Sequence, residues 1–366
     1  MAKFIERVWA CDTITGARLA PIPASAFSYS RVTNDGGSGS MSLNVNSKQA
    51  AKIDLRAVLR PIKTTLVLEA DNRVIAAGVM GNPSYDRDSG NLSVAHNDLW
   101  SIFSARKAIK HGLPNAMTAH LNLGPTSMRT LIKRLFAEAV APGTQYDLPL
   151  LLPADVAGTE SRTYYGYAMQ DVTDAVQELM DSEGGPDIDM RPQWDASGKL
   201  QWAPRIGNLS SGTKWEYNLD ANNHGLTGVG MDADATAITT NAYIIGEGSE
   251  KNTLYRSQPS SDVSYPALER DVAYKTVTKV TELEKLAVER IRSYAGPTQQ
   301  WSASINKDGN GRDGSPRVQD LTLGDDVRIF AAGDPWLPSW STNRLIKYSG
   351  SLESPFVKLE FQQIGA

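Results

Sequence analysis

Short β-type runs separated by small-residue turns constrain the fold of this chain more than any other feature of its sequence. Residues 27–32 alternate apolar and polar side chains, the stretch NDGGSG reverses the chain, and MSLNV resumes the alternation. Residues 64–70 and 73–80 flank Asp71 and Asn72, a two-residue hairpin signal. Many short strands joined by glycine-rich turns predict a small barrel or sandwich in this part of the chain.

Helical periodicity marks the middle and the later part of the chain. Apolar side chains recur every three or four residues over 128–139 and 172–180, and Asp171 is placed to cap the second of these helices. A third helix is expected over 281–294, where Thr281 and Glu284 have the spacing of a capping box. The sequence therefore predicts a mixed α+β fold that is rich in β-structure.

The composition excludes several functional classes for this chain of 366 residues. Its formal net charge is −4, so no strong positive field attracts nucleic acid or acidic lipid. The single cysteine, Cys11, rules out an internal disulfide framework. No run reaches the roughly 18 apolar residues that cross a bilayer. The first residues lack a signal-peptide pattern, so we expect synthesis in a cytoplasm.

The glycine-rich stretch INKDGNGRDGSPRVQD is a candidate calcium-binding loop. Counted from Asp308, an EF-hand loop needs an oxygen ligand at its fifth position, glycine at its sixth and glutamate at its twelfth. This sequence has Arg312, Asp313 and Gln319 at those places. The pattern favours a flexible connection between two strands, because glycine and asparagine tolerate positive φ angles.

Searches for catalytic and cofactor motifs give no match. His111 and His120 lie nine residues apart and lack the H-E-x-x-H spacing of a zinc site. We interpret them as surface or hydrogen-bonded histidines, with zinc binding as the alternative. No nucleophile elbow, dinucleotide-binding glycine motif or phosphate-binding loop is present. We therefore predict no catalytic, cofactor-binding or metal-binding residues.

Asp187 and Asp189 form the carboxylate pair that best fits an enzyme. They lie two residues apart and would share one face of a strand. A glycosidase needs two carboxylates at a set separation across a cleft, usually from different elements. Because both lie on one edge of one hairpin, we favour a solvated strand face over an acid–base pair.

Trp336 and Trp340 are the candidate contact residues of the chain. They lie in the proline-containing stretch AAGDPWLPSW, where exposure is expected. Exposed aromatic side chains mark contact surfaces more often than catalytic sites. Four further tryptophans fall on apolar faces and are expected to anchor a core or an interface: Trp100, Trp194, Trp202 and Trp301.

The order of elements resembles that of the tail-hub proteins of long-tailed bacteriophages, also described as minor tail or baseplate-hub proteins. The stretch LVLEADNRVIAAGVMGNPSYDRDSGNLSVAHNDLWSIFSAR carries most of this resemblance, after the two strands in SYSRVTNDGGSGSMSLNVN. In that family the pattern is two paired strands, a hairpin and a small helix that closes a first barrel. TTNAYIIGEG, LTLGDDVRIF and RLIKYSGSLESPFVKLEF are similar to strands of a second barrel.

The resemblance implies two small β-barrels of the tail-tube type, with a helix-containing middle domain and an inserted α/β excursion. The first barrel with its closing helix is expected over residues 1–106, and the mixed α+β middle domain over 107–212. The second barrel is expected to combine residues 213–250 and 299–366. The inserted helix-containing segment is expected between them, over 251–298.

The resemblance also implies a non-enzymatic protein of the virion tail tip. Such proteins form a hub ring, usually a homotrimer, that joins the tail tube or distal tail protein to tip or fibre proteins. The ring would contact the C-terminus of the tape-measure protein and enclose the channel through which DNA leaves. No membrane and no cofactor are expected. The alternatives are a tail-tip glycan-degrading enzyme that uses Asp187 and Asp189, or a receptor-binding module that uses Trp336 and Trp340.

Overall fold

The computed structural model describes residues 4–210, 212–274, 277–309, 315–337 and 339–363. The helices in these ranges are α1 (Leu55–Val58), α2 (Trp100–Phe103), α3 (Met128–Val140), α4 (Val172–Met180) and α5 (Val280–Ser293). The strands as far as residue 207 are β1 (Glu6–Asp12), β2 (Arg18–Ile22), β3 (Ala26–Val32), β4 (Ser38–Asn44), β5 (Thr64–Ala70), β6 (Arg73–Asp86), β7 (Asn91–Asn97), β8 (Leu121–Thr126), β9 (Glu160–Tyr164), β10 (Asp187–Trp194) and β11 (Leu200–Gly207). The later strands are β12 (Lys214–Asn218), β13 (Thr227–Asp234), β14 (Asn241–Ile245), β15 (Tyr255–Pro259), β16 (Glu269–Ala273), β17 (Thr298–Asn306), β18 (Asp326–Phe330), β19 (Ser341–Ser351) and β20 (Phe356–Gln363).

One large sheet of 13 strands forms the body of the molecule. Its first strand group, β1 to β7, is antiparallel throughout and follows the order β3-β4-β7-β6-β5-β1-β2. The second strand group consists of β12, β13 and β17 to β20. The turn between β5 and β6 has positive φ angles at both Asp71 and Asn72, as the two-residue hairpin signal predicted.

The long strand β19 joins the two strand groups into one sheet. Residues 341–344 pair with β18 along the same edge on which residues 347–351 pair with β3, and the opposite edge pairs with β20. In the described part of the chain the strand path is open and ends at β2 and β13. The resemblance implied two closed barrels. The described strands form no closed barrel. The reason is that β19 continues from one group into the other instead of returning to close its own.

The main core lies along this sheet and takes side chains from both strand groups. Leu66 and Leu68 of β5 pack in it beside residues of β17 to β20, whereas Val67 points to the opposite face and packs in a second core. Every residue of β5 is buried, because both faces of the strand are covered. The run TTLVLEA is accordingly apolar on both faces over most of its length, as expected for a doubly covered strand.

The second core belongs to the middle of the chain. The hairpins β8–β9 and β10–β11 pack with α3 and α4, and apolar residues such as Leu131, Val176 and Trp202 are buried between them. Ser127 caps α3 by accepting a hydrogen bond from the Thr130 amide. Asp171 stands at the N-cap of α4 without a side-chain bond to the helix, since its carboxylate accepts from Lys107 instead.

A third, small core lies between α5 and the three-stranded sheet β15-β14-β16. Asn241–Ile245, which the sequence placed with the second barrel, pairs with these strands and not with the large sheet. The expected capping box is wrong, because α5 starts after Lys279 with no side-chain cap and Glu284 accepts from Arg256 instead. Among the described helices, none has the length and apolar character needed to span a membrane.

Candidate functional site

Asp189 is buried at the junction between β10 and the first strand group. Its carboxylate forms an ion pair with Arg31 of β3, and the Arg205 guanidinium of β11 lies 3.5 Å away. Arg31 also donates to the Tyr348 hydroxyl of β19 at 2.9 Å. The expectation of a solvated strand face is therefore wrong for Asp189. The strand face that carries it is covered by β3, whose arginine replaces the hydration of the carboxylate.

Asp187 serves the same docking contact through neutral partners. Its carboxylate accepts from the Asn34 side-chain amide at 2.8 Å, and the Asn34 side-chain oxygen accepts from the Ile188 amide at 2.7 Å. The void beside Asp189 measures about 10 Å³, whereas Asp187 lines a separate groove of about 210 Å³. The two carboxylates thus do not face each other across one cleft, and the arrangement lacks the geometry of a glycosidase pair.

A second polar contact holds the other end of the β10–β11 hairpin. The Arg18 guanidinium lies between two indole rings, 4.6 Å from the Trp9 centroid and 3.9 Å from the Trp194 centroid. The buried Glu69 carboxylate accepts from Trp194 Nε1 at 2.9 Å and from Arg18 at 3.3 Å. The sequence predicted Trp194 as an anchor but missed Glu69. The available signal was a lone acidic residue inside the apolar run TTLVLEA.

His96 and Asp98 are two titratable residues at the end of β7, and burial shifts the pKa of each. The His96 ring stacks on Phe27 with centroids 4.9 Å apart, its Nε2 lies 3.1 Å from the Ser28 carbonyl oxygen, and burial lowers its pKa to about 4. Asp98 accepts from the Gly37 amide at 2.7 Å and from the Trp100 amide at 2.9 Å. Burial nevertheless raises the pKa of Asp98 to about 7, because loss of hydration outweighs those two hydrogen bonds.

The remaining histidines have separate surroundings. His111 packs against Tyr146 with ring centroids 5.3 Å apart, and burial lowers its pKa. His120 accepts from the Gly166 amide at 3.1 Å through Nδ1. Across the described ranges, no group of three or more His, Cys, Asp or Glu side chains is arranged to hold a metal ion. The key places of the glycine-rich loop, Arg312 and Asp313, lie outside the described residues.

Trp336 and Trp340 lie in the loop that connects β18 to β19. Their exposed fractions are 65% and 40%. Trp340 stacks on Phe330 with centroids 5.4 Å apart, and the Arg328 guanidinium lies 5.0 Å from its ring. The Trp336 backbone amide donates a hydrogen bond to the Asp334 carboxylate at 2.7 Å, and Trp336 is the more exposed of the two tryptophans. The loop thus presents one anchored and one projecting indole to solvent, and a contact role for both stays a prediction.

Known proteins of similar structure were found for this architecture, but none of similar sequence. No protein-family model and no curated protein matches the sequence. The structure superposes on the tail protein from Neisseria meningitidis MC58 with a TM-score of 0.60 and 12% sequence identity, over 99% of this chain and 97% of that chain. It superposes on the 43 kDa tail protein of prophage MuSo2 from Shewanella oneidensis with a TM-score of 0.54 and 9% identity, over 98% of both chains. The chain has the fold of phage tail proteins.

A further similarity extends this phage tail fold to another assembly. A chain of the PdpA–VgrG complex superposes with a TM-score of 0.51 and 9% identity, over 98% of this chain and 64% of that chain. The resemblance to tail-hub proteins, which the order of elements indicated, is confirmed at the level of the fold. Within this fold, Asp189 docks the β10–β11 hairpin against the first strand group through Arg31.

Proposed function

We propose that this chain is a structural protein of a phage-type tail, located in the virion at the tail tip. It forms a hub ring at the distal end of the tail and joins the tail tube or distal tail ring to tip or fibre proteins. One observation carries the proposal: the similarity to two tail proteins runs from end to end of all three chains. A shared single domain would not give that coverage.

The open ends of the large sheet support ring formation. In the described part of the chain, no strand pairs with the outer edge of β2 or of β13. Most side chains of β13 are exposed, so this edge strand has little cover from its own chain. Unpaired strand edges attract further strands and are usually covered in stable proteins. Association of like copies, three in our proposal, would cover them.

In this proposal the first domain (1–106) and the second (213–250 with 299–366) supply the wall of the ring through the strands of the large sheet. Within the second domain, Asn241–Ile245 pairs with β15 and β16 instead and lies with the inserted segment. The middle domain (107–212) and the inserted segment (251–298) lie on the outside of that wall. The ring encloses the DNA exit channel and meets the C-terminus of the tape-measure protein. A net charge of −4 suits such a wall, because 41 Asp and Glu residues outnumber 37 Lys and Arg residues and no net positive charge retains phosphate.

The loop with Trp336 and Trp340 supports contact with a neighbouring tail protein. Exposed indoles are frequent anchors of protein interfaces, because they bury a large area at low conformational cost. A receptor-binding role is the second candidate for the same residues. Loss of host adsorption by Trp336→Ala particles with complete tails would favour the receptor role, whereas loss of the tip proteins from those tails would favour the hub role.

The ring is tested by light scattering on the purified chain and by electron microscopy of tails. We expect a mass three times that of one chain, and tails that lack the protein should end without a tip. A stable monomer that never joins a tail would contradict the proposal. The enzymatic alternative is tested separately by incubating the protein with host cell walls, where we expect no release of sugars.

A further inference from the structure

An open pocket of about 170 Å³ lies where three distant parts of the chain meet. The turn between β5 and β6 forms one wall, the end of β10 forms a second, and residues 318–321 form the third. Arg31, Arg73 and Arg191 line it, together with the neutral side chains of Gln193, Gln319 and Tyr348.

The arginines around the pocket outnumber the carboxylates that form ion pairs with them. Arg31 and Arg205 share the single carboxylate of Asp189. Arg73 forms its own ion pair with Asp320 at 2.5 Å. Within the described ranges, the Arg191 side chain forms no hydrogen bond or ion pair, although it is half-buried. Among the described residues, this guanidinium therefore has no carboxylate at ion-pair distance.

The environment of Arg191 disfavours its charge. Burial lowers its pKa most, the Arg31 charge lowers it further, and the Asp189 charge offsets these effects only in part. A half-buried cation next to a second cation is unfavourable unless an anion neutralises it. The pocket itself supplies the space for one, and the exposed Arg73 and Asn72 at its margin leave it open to solvent.

We propose that this pocket binds a small oxyanion, a phosphate or a carboxylate group, with Arg191 as its main ligand. A planar guanidinium presents two parallel N–H groups that match the oxygens of either group. Gln193 and Asn72 also line the pocket, and the Gln193 side-chain amide already donates to the Gln201 side-chain oxygen at 3.4 Å, which leaves Arg191 as the main donor. Binding would link the first strand group, the β10–β11 hairpin and the segment before β18 through one ion.

The experiment uses the full chain and inorganic phosphate. The melting temperature is measured against phosphate and against chloride at matched pH and ionic strength, with calorimetric titration of phosphate as the direct measurement. We expect phosphate to raise the melting temperature of the wild type by about 2 °C or more. Acetate is the second arm: a shift with acetate equal to that with phosphate assigns the pocket to carboxylates, and a smaller shift assigns it to phosphates.

Arg191→Gln should abolish the shift, and Arg191→Lys should weaken phosphate binding several-fold because a lysine lacks the forked geometry. Arg56→Gln removes an exposed arginine of α1, outside the pocket, and serves as the matched control that should keep the full shift. Equal shifts in Arg191→Gln and Arg56→Gln would overturn the proposal, since they would show a general effect of the salt. If Arg191→Gln does not fold, a wild-type strength of phosphate binding in Arg191→Lys would overturn it equally.

Discussion

At the scale of single residues, buried charges hold the β10–β11 hairpin against the first strand group. Asp189 is the clearest case, because one carboxylate faces two guanidinium groups from different elements, Arg31 and Arg205. Such an ion pair adds little net stability compared with apolar packing, but the loss of one partner leaves the other charge buried and unpaired. The effect of removing the carboxylate should therefore be large.

Asp189→Asn should lower the free energy of unfolding by about 3–5 kcal/mol, the range typical of broken buried pairs. Asp155→Asn is the control, since Asp155 pairs with Lys133 and Arg134 at the surface and should change stability little. Urea denaturation of the two variants beside the wild type measures the difference. Equal stabilities of the two variants would contradict the structural role of Asp189.

His96 and Asp98 should give opposite contributions to the pH dependence of stability. The pKa of His96 is lowered to about 4, so its contribution is lost as the pH falls from about 6.5, the ordinary histidine value, to 4. The pKa of Asp98 is raised to about 7, so the folded state binds its proton first and gains stability as the pH falls from 7 towards 4. Between these limits the two effects offset each other.

Asp98→Asn removes the contribution that offsets the loss of stability due to His96 at acidic pH. Between pH 6.5 and pH 4.5 the variant should lose more stability than the wild type, by on the order of 1–2 kcal/mol, because the opposing contribution of Asp98 is absent. Denaturation curves at several pH values measure the slope. Parallel slopes for variant and wild type would show that Asp98 is already ionised in the folded protein.

At the scale of elements, the loop between β18 and β19 carries one packed tryptophan, Trp340, and one exposed tryptophan, Trp336. Trp336→Ala should change the free energy of unfolding by less than about 0.5 kcal/mol, as expected for a projecting side chain. Trp340→Ala should cost about 1 kcal/mol, because its ring stacks on Phe330 and carries the Arg328 guanidinium. Both variants should reduce incorporation of tip proteins into tails, which gel analysis of purified particles would measure.

The small core under α5 should open on its own. Leu283→Ala removes a buried side chain that packs near Ile244 and Val277, and should cost about 2–4 kcal/mol locally. Hydrogen exchange should quicken in β14 to β16 while the large sheet keeps its protection. Val288→Ala on the exposed side of α5 is the control, and exchange there should stay as in the wild type.

Elements with a local signal could be predicted from the sequence, and contacts between distant segments could not. The alternation in SGSMSLN, the turn at Asp71 and Asn72, and the apolar stripes of α3 and α4 each depend on neighbours within a few residues. Asp189 was assigned to solvent because its partner Arg31 lies 158 residues away in sequence. The sequence also does not decide which sheet Asn241–Ile245 joins, because a short apolar strand suits either sheet.

At the scale of the whole molecule, the two strand groups should not fold apart. The Tyr348 hydroxyl of β19 donates a hydrogen bond to the Ile75 carbonyl oxygen of β6 at 3.5 Å. The Tyr348 ring lies 6.4 Å from the Tyr29 ring of β3. A fragment of residues 1–212 would expose the edge of β3 and part of the main core. We expect it to aggregate or to lack cooperative unfolding, which circular dichroism and size-exclusion chromatography would detect, while the full chain unfolds cooperatively.

The pairing of β3 with β19 has a consequence for how a cell makes this protein. Arg31 leaves the ribosome 317 residues before Tyr348, a delay of roughly 15 to 60 s at usual bacterial and eukaryotic elongation rates. During that interval β3 has no neighbour on its outer side and can stick to other nascent chains. Slower translation should therefore lower the soluble yield, and a holdase chaperone supplied during expression should restore it.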